Sequence, residues 1–204
     1  SSFDNLHFPK FMKNILALIV SFIFHPMIIS LGVFAVLIFN GISSIGNPYL
    51  IFFTCFTFSN LIPITTVFIL KKLGRIDDLD ASIKDQRQFP LILGIGYAGL
   101  GFWALTLLNA NPLTQGLMFC YMTNTVLTLS INRFWKISIH SMGVSGPAAA
   151  LWTNGNHYPF LMVLVIVLVS YSRVILKAHS PTQVFAGALL GFFSTYLQLQ
   201  WFFL

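Results

Sequence analysis

The chain has 204 residues, of which 56% are hydrophobic and only 8% charged, and its mean hydropathy is +0.82. A soluble domain carries about 25% charged residues, so this chain cannot cover a water-facing surface; a soluble enzyme, a disordered chain and a DNA-binding domain are excluded as first readings. The net charge of +6, from 11 Lys and Arg against five Asp, reads as membrane topology rather than as affinity for nucleic acid, because Lys and Arg stay on the cytoplasmic side.

A membrane-spanning helix needs about 20 mostly apolar residues, and lipid forbids unsatisfied backbone, so the apolar segments are read as helices. The first covers residues 11–40 and is broken at His25-Pro26. An interfacial segment over residues 1–25 is expected there, then a span from Pro26. The second covers 48–70, with a kink at Pro63. A polar stretch over 71–88 follows. Spans at 89–108 and 112–131 come next, then a less hydrophobic helix over 138–152, then spans over 158–174 and 181–204. The expected fold class is all-α: a polytopic membrane bundle of six or seven transmembrane helices, forming one domain over 1–204. Cys55 and Cys120 lie in apolar segments and read as packing residues rather than a disulfide. No cleavable signal peptide is expected, since the first apolar stretch has no small-residue cleavage site.

If each segment crosses once, all 11 basic residues fall on one face: Lys10, Lys13, Lys71, Lys72, Arg75, Lys84, Arg87, Arg133, Lys136, Arg173 and Lys177. The opposite turns, near 43–47, 109–111 and 153–157, carry none. Three separated polar segments then meet at one membrane surface. Gly187 and Gly191 form a G-x-x-x-G step for close helix packing, and Gly143, Gly146 and Ala148 to Ala150 line the short helix. Gly94, Gly96 and Gly99 spell G-x-G-x-x-G, but a dinucleotide site needs a strand before it, and here the motif lies inside a span.

Ionisable groups at membrane depth are costly and mark function. The tightest group runs from Ser172 to Gln183. Ser180 is an N-cap and Pro181 a first helical residue, so His179 stands just ahead of a helix start, with Arg173 six residues earlier on the same side. A planar guanidinium beside a helix N-terminus favours an anion such as phosphate, and a neutral imidazole there can attack phosphorus. The alternative is that Arg173 and Lys177 snorkel to the interface. A second group holds Lys136, Ser138 and His140, where a second histidine can protonate a leaving alkoxide. A third, Lys84, Arg87 and Pro90, offers cations next to a span or a plain positive-inside loop. His25 reads as a helix-break residue, and metal-ligand spacing is not evident.

Together these groups resemble the type 2 phosphatidic acid phosphatase superfamily, whose fold is shared with vanadium haloperoxidases. Its third signature is S-R-x5-H-x3-D, matched by Ser172, Arg173 and His179, with Gln183 where the family has Asp. Its second, P-S-G-H, retains only Ser138 and His140. Its first, K-x6-R-P, has a loose counterpart in Lys84, Arg87 and Pro90. The resemblance covers residues 84–191, the phosphatase-like core. It implies hydrolysis of a phosphate or diphosphate monoester of an isoprenoid or glycerolipid through a phosphohistidine, without metal or cofactor. His179 would be the nucleophile, oriented by Gln183, and His140 would protonate the leaving group. Arg173, Arg87 and Lys84 would hold the phosphate oxygens, with Ser138 donating a hydrogen bond and Ser172 alongside; Lys136 has no family counterpart but fits the same cationic pocket by its position. The implied partners are the lipid bilayer and a phosphorylated lipid, not nucleic acid. The expected location is a bacterial or archaeal cell membrane, and the charge asymmetry reads as a cytoplasmic basic face.

Two other classes remain open. Asp77, Asp78, Asp80 and Asp85 ahead of Arg87 are similar to the aspartate-rich loop of UbiA-type prenyltransferases, where aspartates hold diphosphate through magnesium. The Gln at 183 and the eroded second signature also fit a catalytically degenerate protein that binds lipid phosphate.

Overall fold

The computed structural model describes residues 10–41, 43–79 and 83–204. His7 and Asp80 lie outside the described residues. Among those described, the backbone is helix and turn without strands. Its helices are α1 (Lys10–Ile23), α2 (Pro26–Phe39), α3 (Pro48–Phe56), α4 (Ile62–Lys72), α5 (Gln88–Leu107), α6 (Pro112–Asn132), α7 (Ile139–Thr153), α8 (Pro159–Ile175) and α9 (Pro181–Phe202). A π-helical turn (Thr57–Leu61) joins α3 to α4, and a short 3-10 turn (Asp85–Arg87) leads into α5.

Four helix starts follow one local rule. His25, Asn47, Asn111 and Ser180 each accept a backbone N–H of the first turn on the side chain, and each is followed by proline. The cap satisfies an orphan donor, and proline supplies the helical φ where no N–H is needed. The kink expected at Pro63 is the π-helical turn just before it. Proline has no N–H for the carbonyl one turn back, and the Ile62 N–H bonds Thr57 O five residues back instead.

The chain runs from end to end of the bundle seven times, through α2, the α3–α4 rod, α5, α6, α7, α8 and α9. One end gathers the α1–α2 break, the α4–α5 segment and the α6–α7 and α8–α9 turns. At the other end, Asn111 Nδ2 donates to Leu37 O and the Asn111 backbone N–H donates to Ser44 Oγ. Among the described residues, three stretches are long and apolar enough to cross a membrane: Phe11–Phe39, Pro48–Lys72 and Asp85–Leu107, with Pro159–Ile175 apolar but shorter. The six or seven spans read from the sequence thus match the path of the chain more closely than the apolarity of each helix. The difference has a cause in α6 and α9, which are long but carry Asn124, Thr123, Thr195, Ser194 and Gln198. These polar groups bond to one another: Asn124 Nδ2 donates to Thr195 Oγ1 (2.9 Å), Ser194 Oγ to Asn124 Oδ1 (2.7 Å), and Thr123 to Gln198. Residues 11–39 also count as one apolar run, with the break at His25 inside it.

Helix α7 is the central strut, and its 15 residues are buried over most of their length. It meets protein rather than lipid, which is why it reads as less hydrophobic. It packs on α9 through the G-x-x-x-G step. A Cβ at Gly187 would stand 2.5 Å from Ser138 O, and one at Gly191 would stand 2.6 Å from Met142 O. On its other side Gly143 faces the ring of Pro26. The apolar core lies under this strut, where Phe34, Leu37, Ile51, Leu105, Leu117, Met118 and Leu199 cluster. Cys55 and Cys120 are buried free thiols. Gly94, Gly96 and Gly99 sit within α5 with no strand before them, so the dinucleotide pattern is a helix-packing one.

Candidate functional site

The spacing from Arg173 to His179 is set by how α8 ends. Lys177 adopts a left-handed conformation (φ 53°), the usual device for closing a helix. The turn brings the N–H groups of Ala178 and His179 back onto Arg173 O, at 3.0 and 3.3 Å. Both side chains are buried, Arg173 at 4% exposure and His179 at 6%. Arg173 Nη1 donates to Ser21 Oγ in α1 (3.0 Å).

His179 is held by Gln183. The Ser180 N–H donates to Gln183 Oε1 (3.1 Å) and the Gln183 N–H to Ser180 Oγ (3.3 Å), a reciprocal capping box at the start of α9. The amide NH2 of Gln183 can only donate, so accepting the Ser180 N–H fixes which end of the amide faces the loop. His179 Nδ1 lies 3.1 Å from the same oxygen and must therefore carry the proton. The proton assignment leaves Nε2 with its lone pair. That nitrogen is buried and has no hydrogen-bond partner among the described residues.

Cations surround it. Lys136 Nζ donates to Ala178 O (2.8 Å), next to His179. Arg87, 3% exposed, donates through Nη1 to Ile137 O (3.3 Å). Burial, then the charges of Arg87 and Lys136, push His179 down to about 4. The Gln183 hydrogen bond opposes this shift, and Arg173 adds to it. Lys136 is also held below its ordinary range by burial and by Arg87 and Arg173, with Asp78 opposing. The imidazole is thus neutral at pH 7, among cations that an anion would neutralise.

The α6–α7 turn closes the site. The Ser138 N–H donates to Gln183 O (3.3 Å). Ser138 Oγ caps α7 by accepting from Ser141 N, and it also accepts from Ser141 Oγ (3.1 Å), which in turn accepts from Ser170 Oγ (3.0 Å). The relay of hydroxyls leaves the Ser138 proton to donate onward. His140, the second residue of α7 and 8% exposed, meets the ring of His25 edge-on, with centroids 5.0 Å apart and planes at 89°.

Residues 116–204 match the family model of the PAP2 superfamily. Over that segment the chain is similar to the PAP2 superfamily. No curated protein and no solved structure matches the chain. The PAP2 segment carries α7, α8, α9 and most of α6, and with them Lys136, Ser138, His140, Ser172, Arg173, His179 and Gln183. It leaves out Lys84, Arg87 and the aspartate-rich loop.

Of the residues singled out from sequence, six form one group, two are engaged elsewhere, and His140 stands against His25. Arg87, Lys136, Arg173, His179, Gln183 and Ser138 come together. Lys84 and Ser172 are engaged elsewhere: the Lys84 ammonium donates to Arg133 O (3.2 Å), and the Ser172 hydroxyl to Val169 O within α8 (2.7 Å). Sequence reading missed Ser21 as the partner of Arg173. It took His25 only as a helix breaker. Its Nδ1 does cap α2, accepting from Met27 N (3.3 Å), but its ring also touches His140.

Proposed function

We propose that the chain is an integral-membrane phosphohydrolase acting on a phosphorylated lipid through a phosphohistidine at His179. The superfamily match supports phosphatase-type chemistry on a phosphorylated substrate. The observation that carries the finer reading is the buried His179 ring, held through Nδ1 with its Nε2 lone pair among Arg87, Lys136 and Arg173.

In this reading the guanidinium groups of Arg87 and Arg173 and the Lys136 ammonium bind the phosphate oxygens, and the Ser138 hydroxyl donates to one of them. His179 Nε2 attacks phosphorus and the bond to the lipid oxygen breaks. His140 gives that oxygen a proton, so the lipid departs as an alcohol. Water then attacks the phosphorus of the phosphohistidine, its proton passes to His140, and phosphate leaves with the imidazole restored. Gln183 orients the ring as the family's Asp would, but it adds no charge to stabilise the imidazolium. A slow turnover is expected. The positive-inside preference puts this end of the bundle at the cytoplasmic surface, in a bacterial or archaeal cell membrane.

The test is phosphate release by detergent-purified protein, with chelator present, from phosphatidic acid and from polyprenyl mono- and diphosphates. Release lost in His179→Ala supports the reading. Release that survives the substitution, or that needs magnesium and an intact Asp77 and Asp78, contradicts it.

A further inference from the structure

The place of the substrate's hydrocarbon follows from the side on which the leaving oxygen departs. Displacement at phosphorus runs roughly in line, with the attacking and leaving atoms on opposite sides. His179 occupies one side, so the lipid leaves on the side of His140. The ring beside His140 is that of His25, which stands at the break between α1 and α2. His25 also lines a pocket of about 360 Å³, whose other walls are Phe22, Met27, Ile28, Ile64, Val67, Phe68 and Leu79. Every wall except His25 is apolar. The rim is open, with Phe22 74%, Phe68 59% and Ile28 50% exposed. The volume falls at the lower end of the ligand-pocket range.

We propose that this pocket, between the α1–α2 break and α4, holds the hydrocarbon next to the scissile bond of a lipid phosphate that arrives sideways from the bilayer. The proposal rests on the roles given above to His179 and His140. Two other spaces fit less well. The groove between α8 and α9 is larger, about 740 Å³, but Val174 and Pro181 put its near end beside the turn that carries His179, on the side of the attacking group rather than of His140. The cavity beside Ile139 and Gly143 holds about 160 Å³ and includes Ser30, Asn124 and Thr128, which is too small and too polar for a chain.

The experiment is photolabelling of the whole protein in phosphatidylcholine nanodiscs. One probe is phosphatidic acid with a diazirine in the acyl chain close to the glycerol, and the other a polyprenyl phosphate with a diazirine in its first isoprene units. Label is expected within residues 22–28 and 64–68. It should be competed by excess unlabelled lipid phosphate but not by the dephosphorylated lipid, and weakened about tenfold by Val67→Trp, which fills the pocket. Ile64→Trp at the exposed rim serves if V67W does not fold, and Ala188→Trp in the α8–α9 groove should leave the label unchanged. Competed label between α8 and α9, or no competed label from either probe, overturns the proposal. Phosphate release from the same nanodiscs judges the hydrolase reading separately. Competed label at 22–28 and 64–68 without release refutes hydrolysis and leaves the hydrocarbon site standing; release with label elsewhere refutes the site alone.

Discussion

Gln183 governs the chemistry of His179 through one oxygen. The amide that caps α9 fixes the orientation of Oε1, and Oε1 fixes the proton on Nδ1. Gln183→Ala removes both bonds, and kcat should fall by about a hundredfold, the scale of an acid–base contribution, while phosphate-analogue binding by the three cations persists. Gln183→Glu keeps the reach and adds a charge that favours the imidazolium. With His179 near 4, the acid limb of kcat/KM in the wild type is expected near pH 4, and it should move to higher pH in Q183E. An unmoved limb would mean that His179 is not the titrating group. The same depression has a sign for stability. The unfolded imidazole takes up its proton near pH 6.5 and the folded one near 4, so stability is full above about 6.5 and is lost as pH falls through this window. His179→Gln should flatten that loss in a thermal melt. Residue types in the right order made this part of the site legible: S-R-x5-H picked out Arg173 and His179, and Ser180 was readable as the N-cap of α9, whereas the reciprocal bond from Gln183 was not. What the sequence could not show is where a hydroxyl or ammonium spends its hydrogen bond. Lys84 and Ser172 have the right chemistry, but one is engaged with Arg133 O and the other with its own helix.

At the scale of the helices, the α7–α9 seam carries the site. Gly187 lies under Ser138 O, and Ser138 N is bonded to Gln183 O, so a methyl group there pushes on both. Gly187→Ala should cost about 1–3 kcal/mol through overpacking, seen as a lower melting temperature in detergent, and should reduce activity more than its stability loss accounts for. Ser180→Ala removes the cap of α9 and should cost about 0.5–2 kcal/mol; its effect on activity should be larger, because the cap also fixes Gln183. Helix starts were legible here because cap-plus-proline is a local signal, and Pro63 marked its kink for the same reason. The count of spans was harder. Asn124, Thr195 and Gln198 lower the apolarity of α6 and α9 as single helices, and their mutual bonds form only when the two helices pack.

Across the whole molecule, the site is a convergence of four turns at one end of the bundle. The three basic groups in the sequence forecast it, since each flanks an apolar helix. The contacts that complete it join residues far apart in the chain: Arg173 with Ser21, and His140 with His25. Nothing local announces either pair, because each depends on α1 and α2 docking against the PAP2 segment. The measurement that bears most directly on this account is trapping of the phosphoenzyme. Protein mixed with a lipid phosphate substrate and quenched in base within one turnover is digested and sequenced by mass spectrometry. One phosphoryl group on His179 is expected, enriched in His140→Ala supplied with a substrate whose leaving group needs no protonation, and absent from His179→Ala. Turnover with no phosphoryl group on His179, or with one on His140 instead, would contradict it.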